Sequence, residues 1–266
     1  MSRNRIDRAF ARLRATGGRG LIPFIAAGDP SLACTAALVR ELAARGADII
    51  ELGVPFSDPL ADGVVNQRAY QRALASGATL PRILDVVAEV RRDCDVPIVL
   101  MSYVNPIHHF GLERFPEAAR AAGVDGVILS DCPPEEMADA LDRFRLAGVH
   151  PVLLIAPTSP ARRMVEISEK SGGYIYYVSL RGVTGARAEL PPDLAEGIRR
   201  IRDLTDKPIA VGFGISTPAQ ARAVAEHADA VIIGSALVAR IEALRGDPAL
   251  VAQAGEFVGE FRAALG

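Results

Sequence analysis

Lysine is nearly missing from this chain of 266 residues: of 30 Lys and Arg side chains, only Lys170 and Lys207 are lysines. A mechanism that forms an imine with its substrate needs a lysine amine in the pocket, so those two positions decide whether that route is open. Cysteine is also scarce. Cys34, Cys94 and Cys132 are scattered and odd in number, which gives no disulfide framework and suits a reducing, cytoplasmic setting. No apolar run approaches the roughly 18 residues needed to span a bilayer. Charge of either sign is not in excess, with 30 basic against 32 acidic residues and a net charge of −2. Nothing there calls for nucleic acid or an anionic membrane as a partner. The four histidines show no spacing of a zinc site, and no metal is expected. The first residues, MSRNRIDRAFARLRATG, are basic but lack the apolar core of a signal peptide. Asp7 and the direct run into the first strand speak against a transit peptide. Ile6, Phe10 and Leu13 fall at helical spacing, which predicts a short amphipathic helix capping the domain.

What is abundant is a repeat of strand and helix. Apolar runs of strand length occur at LIPFIAA (21–27), DIIEL (48–52), PIVLMSY (97–103), GVILS (126–130), PVLLIA (151–156), YIYYVS (174–179), PIAVGF (208–213) and AVIIG (230–234). Amphipathic helical patterns such as LACTAALVRELAARG and PAQARAVAEHAD separate them. Similar junctions, ARGAD, AAGVD and LAGVH, precede the second, fourth and fifth runs. Their glycines suit the left-handed residue that ends a helix. Runs apolar on both faces fit buried parallel strands. Eight such units in about 250 residues match a (β/α)8 TIM barrel, with an extra N-terminal helix; a doubly wound open sheet is the alternative. No linker or break in composition divides the chain, so residues 1–266 are expected to form a single domain.

The segment ADIIELGVPFSDPLADG (47–63) concentrates the chemistry. Glu51 interrupts an apolar strand, and Asp58 and Asp62 follow on a loop stiffened by Pro55 and Pro59. A buried acid is costly unless it has partners or a changed pKa. Glu51 is therefore either a catalytic group or a hydrogen-bonded structural one. In a barrel the chemistry sits at the C-terminal ends of the strands, and there lie Glu51, the two loop aspartates and Asp131. Gly-rich segments GVTG (182–185), GFGIS (212–216) and GS (234–235) follow the last three strands. They are either tight turns or a phosphate cradle, since glycine lets backbone N–H groups approach an anion at a helix start.

The same filter removes mechanisms. Lys170 and Lys207 each precede a strand, as do His150 and His227, which places them at the floor of the barrel, away from the chemistry. His108 and His109 are adjacent in sequence, so their side chains diverge. Cys132 has no evident base beside it. What remains is carboxylate acid–base chemistry on a phosphorylated, apolar substrate. Phe24, Leu100, Tyr103, Ile128, Tyr176 and Phe213 lie at strand ends, placed either to line an apolar pocket or to fill the core.

These motifs carry a resemblance. ELGVPFSDPLADG, with PFIAAGDP before it and GVTG, VGFGIS and IIGSALV after it, resembles the alpha chain of tryptophan synthase, and does so over essentially the whole chain. The resemblance implies a (β/α)8 barrel that cleaves indole-3-glycerol phosphate to indole and glyceraldehyde 3-phosphate. It places the catalytic acids at Glu51 and Asp62 and the phosphate contacts at Gly185, Gly214, Gly234 and Ser235. It puts Phe24, Leu100, Tyr103, Ile128, Tyr176 and Phe213 in the substrate pocket. Asp58 and Thr184 take the positions that couple loop and partner. The partner it implies is a beta chain in an alpha2beta2 complex; that chain carries pyridoxal phosphate, whereas the alpha chain itself takes no cofactor.

Two stretches depart from the pattern. Val64-Val65-Asn66-Gln67 follows the aspartate loop, with Asn66 where the resemblance implies an aliphatic residue against the indole, and Arg181 precedes GVTG. A buried amide must find a partner, so Asn66 either turns towards water or a backbone group, which is the expectation, or reads a polar substituent on the substrate. Two further readings stand beside the biosynthetic one. One is a stand-alone lyase for indole-3-glycerol phosphate or a substituted indole in specialised metabolism. The other is a catalytically quiet activating subunit, against which the intact Glu51 and Asp62 speak.

Overall fold

Seven of the eight predicted runs form one strand each, and the fifth forms two. The computed structural model describes residues 4–178, 192–212 and 214–266. Its strands are β1 (Gly20–Ala26), β2 (Ile50–Gly53), β3 (Ile98–Ser102), β4 (Gly126–Leu129), β5 (His150–Pro151), β6 (Leu153–Ile155), β7 (Ile175–Val178), β8 (Ile209–Gly212) and β9 (Ala230–Ile233). Between and after them run α1 (Arg5–Thr16), α2 (Leu32–Ala44), α3 (Val64–Ala75), α4 (Leu80–Val90), α5 (Val104–Phe110), α6 (Phe115–Ala122), α7 (Ala138–Ala147), α8 (Ala161–Lys170), α9 (Leu194–Arg202), α10 (Pro218–Ala225), α11 (Ser235–Ala243) and α12 (Leu250–Leu265). None of the helices among the described residues is long and apolar enough to cross a membrane.

All pairings are parallel, and the sheet order is β5-β4-β3-β2-β1-β9-β8-β7-β6. The two ends of that order are consecutive pieces of one run, so the sheet curls until its ends meet at Val152. This is a TIM barrel, and the open sheet is excluded. Pro151 has no N–H to give to a ladder, which explains the break. Val152 donates its N–H to Val127 O at 2.8 Å, on the β4 side, while Leu153 donates to Ser171 Oγ at 3.1 Å, on the β7 side.

Alternate residues along each strand feed two separate cores, as the two-residue period of a strand requires. Along β3, Val99 and Met101 join the barrel interior with Phe24, Ile128 and Tyr176. Ile98 and Leu100 join the layer between strands and helices. The helix α1 covers the floor of the barrel. Its Ile6, Ala9, Phe10 and Leu13 form the buried face, Asn4 caps its first turn, and the Phe10 ring lies 5.8 Å from that of Tyr174.

Two of the similar helix-to-strand junctions, ARGAD and AAGVD, end in floor aspartates, and a third aspartate stands before β9. Asp48, Asp125 and Asp229 stand just before β2, β4 and β9, and each accepts an N–H from the start of the strand one earlier. Asp48 takes that of Leu21 (3.0 Å), Asp125 that of Ile98 (2.9 Å) and Asp229 that of Ile209 (2.8 Å). Each carboxylate also meets an arginine: Arg262 with Asp48, Arg91 with Asp125, Arg202 with Asp229. The motif therefore sets the register of neighbouring strands while pairing its own charge with an arginine.

Asp125 is fully buried beside the 9%-exposed Arg91. Asp125→Ala strands that guanidinium and the Ile98 N–H, and should cost about 3–5 kcal/mol. Glu89→Ala breaks only an exposed pair with Arg40 and should cost under about 1 kcal/mol. Urea unfolding of the two variants checks the contrast; equal, small losses would remove the register role of Asp125.

Candidate active site

Glu51 is carried into the barrel by the alternation of β2. Ile50 and Leu52 pack outwards into the strand–helix layer, so the residue between them faces inwards, and Glu51 is wholly buried. The Tyr174 hydroxyl donates to Glu51 Oε1 at 2.7 Å. Oε2 is buried and meets no hydrogen-bond partner among the described residues. Burial pushes the Glu51 carboxyl up to about 8, against the smaller downward pull of the Tyr174 hydrogen bond. At neutral pH this group holds its proton and is an acid with a proton to give.

Asp62 is held in a different way. The loop after β2 turns tightly, with Leu60 N–H to Asp58 O at 2.9 Å and Asp62 N–H to Pro59 O at 3.0 Å. That turn delivers Asp62 to the start of α3, 7% exposed. Tyr103 donates its hydroxyl to Oδ2 at 2.6 Å, and the Asn66 amide donates to Oδ1 at 3.1 Å. Gln67 Nε2 bonds the Asp62 carbonyl at 2.8 Å. The Tyr103 oxygen in turn accepts the Ala61 N–H at 3.0 Å, and a chain of such bonds polarises each member. Burial leaves the Asp62 carboxyl above the ordinary aspartate range, and the Tyr103 and Asn66 hydrogen bonds offset only part of that rise. Both of its oxygens are thus served by donors, the arrangement that favours the ionised form.

A narrow cleft opens beside Asp62 at the C-terminal ends of the strands. Phe24, Met101, Tyr176 and Ile232 form its apolar walls, with Asp62 and Asn66 as the polar side. Gly214, Ile215, Gly234 and Ser235 form the remaining edge. Gly234 stands at the N-cap of α11. A Cβ there would approach only Phe24, at 3.8 Å. The packing of the chain itself tolerates a side chain at that position, which would instead stand between the cleft and the helix start. Gly212 is required for another reason: a Cβ would come within 2.4 Å of the Tyr176 hydroxyl oxygen, so glycine lets Tyr176 lie across the barrel. Glu51 lies behind the cleft wall, one strand from its register partner Phe24.

The structure brings together Phe24, Asp62, Asn66, Tyr176, Gly214, Gly234 and Ser235 around one cleft. Leu100 is a correction. It packs outwards into the strand–helix layer, and Met101, one residue on, takes the place in the wall. Ile128 is in the barrel interior but outside the cleft wall. Tyr103 acts through Asp62 rather than as a wall of the cleft. Asn66 is a second correction. It does not turn to water or backbone but is buried, 8% exposed, with its amide on Asp62. Asp58 is exposed on the loop and receives a hydrogen bond from Ser57. Arg181, Thr184, Gly185 and Phe213 lie outside the described residues. Tyr174, Met101, Ile215 and Ile232 were not anticipated. Tyr174 had a signal, since it shares a strand face with Tyr176 two residues away.

The two lysines lie at the other end of the barrel. Lys207 gives its ammonium to the carbonyls of Ser168, Glu169 and Ser171, and Lys170 ends α8. His150 faces Asp7 of α1 at 3.0 Å. Burial raises the Cys132 thiol, the opposite of an activated nucleophile. Among the described residues no group of three or more His, Cys, Asp and Glu side chains is placed to hold a metal ion.

The family described as tryptophan synthase alpha chain matches residues 10–265. A relative of that name from Burkholderia thailandensis is 53% identical over 264 residues, covering 98% of this chain and 97% of the relative. The crystal structure of tryptophan synthase subunit alpha from Legionella pneumophila superposes with a TM-score of 0.92 at 39% identity, covering 99% of both chains. A chain of the tryptophan synthase complex from Pyrococcus furiosus gives a TM-score of 0.85 at 35% identity, covering 92% of this chain and 98% of that one. The chain belongs to the tryptophan synthase alpha-chain family and is a carbon–carbon lyase of tryptophan biosynthesis, cleaving indole-3-glycerol phosphate.

Proposed function

We propose that Glu51 moves the protons of this cleavage and that Asp62 is the fixed charge that makes the ring an electron sink. The observation that carries the reading is the contrast between the two acids: one buried with a single donor and protonated, the other clamped by donors on both oxygens. Such a pair divides acid and base work by environment. Glu51 gives its proton to ring carbon C3, which turns the indole N–H cationic. The Asp62 carboxylate lies where that charge develops and stabilises it. Glu51, now a carboxylate, takes the proton of the side-chain hydroxyl next to the ring. The carbon–carbon bond breaks as the hydroxyl becomes a carbonyl, and its electron pair returns to the ring. Indole and glyceraldehyde 3-phosphate leave, and Glu51 is protonated as at the start. To reach the ring, the Glu51 carboxyl swings away from Tyr174 into the cleft, leading with its unpartnered Oε2.

Backbone N–H groups at Gly214, Gly234 and Ser235, with Gly185, receive the phosphate, and the start of α11 adds its dipole. The chain acts as one domain, in the cytoplasm, without a cofactor of its own. Its partner is a beta chain, in an alpha2beta2 complex, that holds pyridoxal phosphate. The surface for it includes the loop after β2, where Leu60 is 85% and Val64 63% exposed around Asp58. The biosynthetic reading is favoured over a stand-alone or quiet relative by the identity of the similar chains and by both acids being in place. Steady-state indole release with and without a beta chain tests it, and release unaffected by the beta chain would overturn the partnership.

Glu51→Gln should lower turnover by roughly 10²–10⁴-fold while still binding glycerol phosphate; a variant keeping a tenth of wild-type turnover would end the proton-transfer role. Asp62→Asn should likewise lose turnover, chiefly in the chemical step.

The pH dependence follows from the same displacement. Rate through kcat/KM should fall as pH rises through about 8, where Glu51 loses the proton it must deliver. Stability carries the same signature. The folded state holds the Glu51 proton that the unfolded chain has already released, so this group favours folding fully below about 4.5 and loses that effect by about 8. Melting temperatures across that window should decline more for wild type than for Glu51→Gln; parallel curves would mean that the acid is not held protonated.

Borohydride should trap no substrate adduct on the wild-type protein, since Lys207 is committed to floor carbonyls. A trapped adduct on Lys170 or Lys207 would revive the imine route.

A further inference from the structure

Tyr70 brings a hydroxyl into the barrel that the reaction as described leaves idle. It stands on α3, one helical turn after Asn66, on the buried face it shares with Ala69 and Ala73. Long side chains on a helix lean towards its N-terminus, which here is the end that follows Asp62. The residue is 1% exposed and belongs to the barrel interior with Phe24, Met101, Tyr103 and Tyr174. Gly53 locates its hydroxyl: a Cβ on that glycine would stand 2.6 Å from the Tyr70 oxygen and 2.6 Å from the Phe24 ring. Gly53 ends β2 two residues after Glu51, so the two share the inward face of that strand. The Tyr70 hydroxyl therefore lies on the cleft side of Glu51. Tyr174, packed on the Phe10 ring of α1, lies on its floor side.

The groups around this hydroxyl leave one pairing open. The titratable groups facing it are Asp62 from the loop before α3, Tyr103 from the end of β3 and Glu51 from β2. Glu51 in turn faces Tyr174 and Tyr176. Tyr103 gives its proton to Asp62 Oδ2, and Asn66 fills Asp62 Oδ1. Tyr174 fills Glu51 Oε1, while Glu51 Oε2 has no partner among the described residues. Among those residues the Tyr70 hydroxyl has no hydrogen-bond partner either. Two residues of strand separate Glu51 from Gly53, roughly 6–7 Å. A glutamate side chain turned up the strand, with one hydrogen bond at its end, covers that span. Burial keeps the Tyr70 phenol well above the ordinary tyrosine range, so it donates a hydrogen bond and keeps its proton.

Resting on the lyase reading above, we propose that Tyr70 is a positioning residue for the proton transfer: its hydroxyl donates to the Glu51 carboxyl where that group works, as Tyr174 does where it rests. The carboxyl exchanges one donor for another and never holds both, so it stays protonated until it meets the ring. Once it has given its proton, the Tyr70 hydrogen bond stabilises the carboxylate and aims it at the side-chain hydroxyl. A donor on the ionised form lowers a carboxyl pKa, so loss of the Tyr70 hydroxyl raises that of the working carboxyl and leaves the resting one alone.

The test follows indole release by wild type, Tyr70→Phe and Tyr174→Phe across the alkaline range. The pH profile of kcat reports the bound complex and that of kcat/KM the free protein. Tyr70→Phe should lower kcat by roughly 10–100-fold, the worth of a hydrogen bond to a charged group. It should raise the alkaline limb of kcat by about one pH unit and leave the limb of kcat/KM in place. Tyr174→Phe should do the reverse, raising the limb of kcat/KM and not that of kcat. Tyr70→Phe with both alkaline limbs unmoved overturns the proposal, whatever its kcat, since lost packing alone moves neither. A shift confined to the acid limb gives the hydroxyl to Asp62 and overturns it too. A crystal structure of wild type with indole-3-propyl phosphate, which lacks the cleavable hydroxyl, needs no variant. It should show the Glu51 carboxyl within hydrogen-bond distance of the Tyr70 hydroxyl, and a carboxyl turned into the cleft but away from Tyr70 overturns the assignment. No turnover of indole-3-glycerol phosphate by folded wild type overturns the lyase reading itself, whereas turnover with unmoved limbs overturns this inference alone.

Discussion

The site depends on one carboxyl kept out of water with, among the described residues, a single hydroxyl for company. Glu51 is wholly buried, and Tyr174 is its hydrogen-bond donor. That poverty of partners is what leaves it protonated. Added donors would return it to the ionised state of an ordinary glutamate and leave the ring without its acid. The surrounding structure preserves the shortage. Aromatic and aliphatic side chains fill the barrel interior around it, and α1 lays Phe10 beneath Tyr174. The floor helix, the tyrosine and the acid form one stacked column through the barrel.

Asp62 shows the reverse treatment 11 residues further along the chain. Tyr103, Asn66 and Gln67 all reach it, from β3 and α3. The difference arises from position along the chain. A residue inside a strand spends its backbone groups on the ladder and meets only the side chains across the barrel. A residue at a loop-to-helix junction meets the first turn of the helix and the free ends of neighbouring strands. Two identical functional groups thereby meet opposite surroundings.

The barrel was legible because its strands are apolar on both faces, and glycine junctions mark where helices stop. The same property hid the register. From Pro97 to Met101 the run PIVLMSY carries no polar residue to show which face is which, so Leu100 and Met101 could be told apart only once β3 was paired with its neighbours. The break at Val152 followed from a single proline whose effect depends on two strands far away in sequence. Glu51 and Asp62 stood out because an acid in an apolar run is unusual. Tyr174 did not, because a tyrosine at a strand start is ordinary until its hydroxyl is seen to reach across 123 residues of sequence. Asn66 was visible as a departure, yet its partner was an aspartate one helical turn away, which sequence spacing alone permits but does not demand.

The floor helix also sets an order of events during synthesis. The anchors of α1 reach progressively further along the chain: Arg12 meets Asp48 across 36 residues, Arg5 reaches Asp125 across 120, His150 reaches Asp7 across 143 and Arg14 reaches Asp206 across 192. Most of the surface on which this helix docks is therefore missing until much of the barrel exists, and contacts of such separation form late because loop closure precedes their reward. Until then its apolar face of Ile6, Phe10 and Leu13 is uncovered, and the column under Glu51 has no base. The opening dozen residues, made earliest, are the piece whose arrival completes the surroundings of the acid.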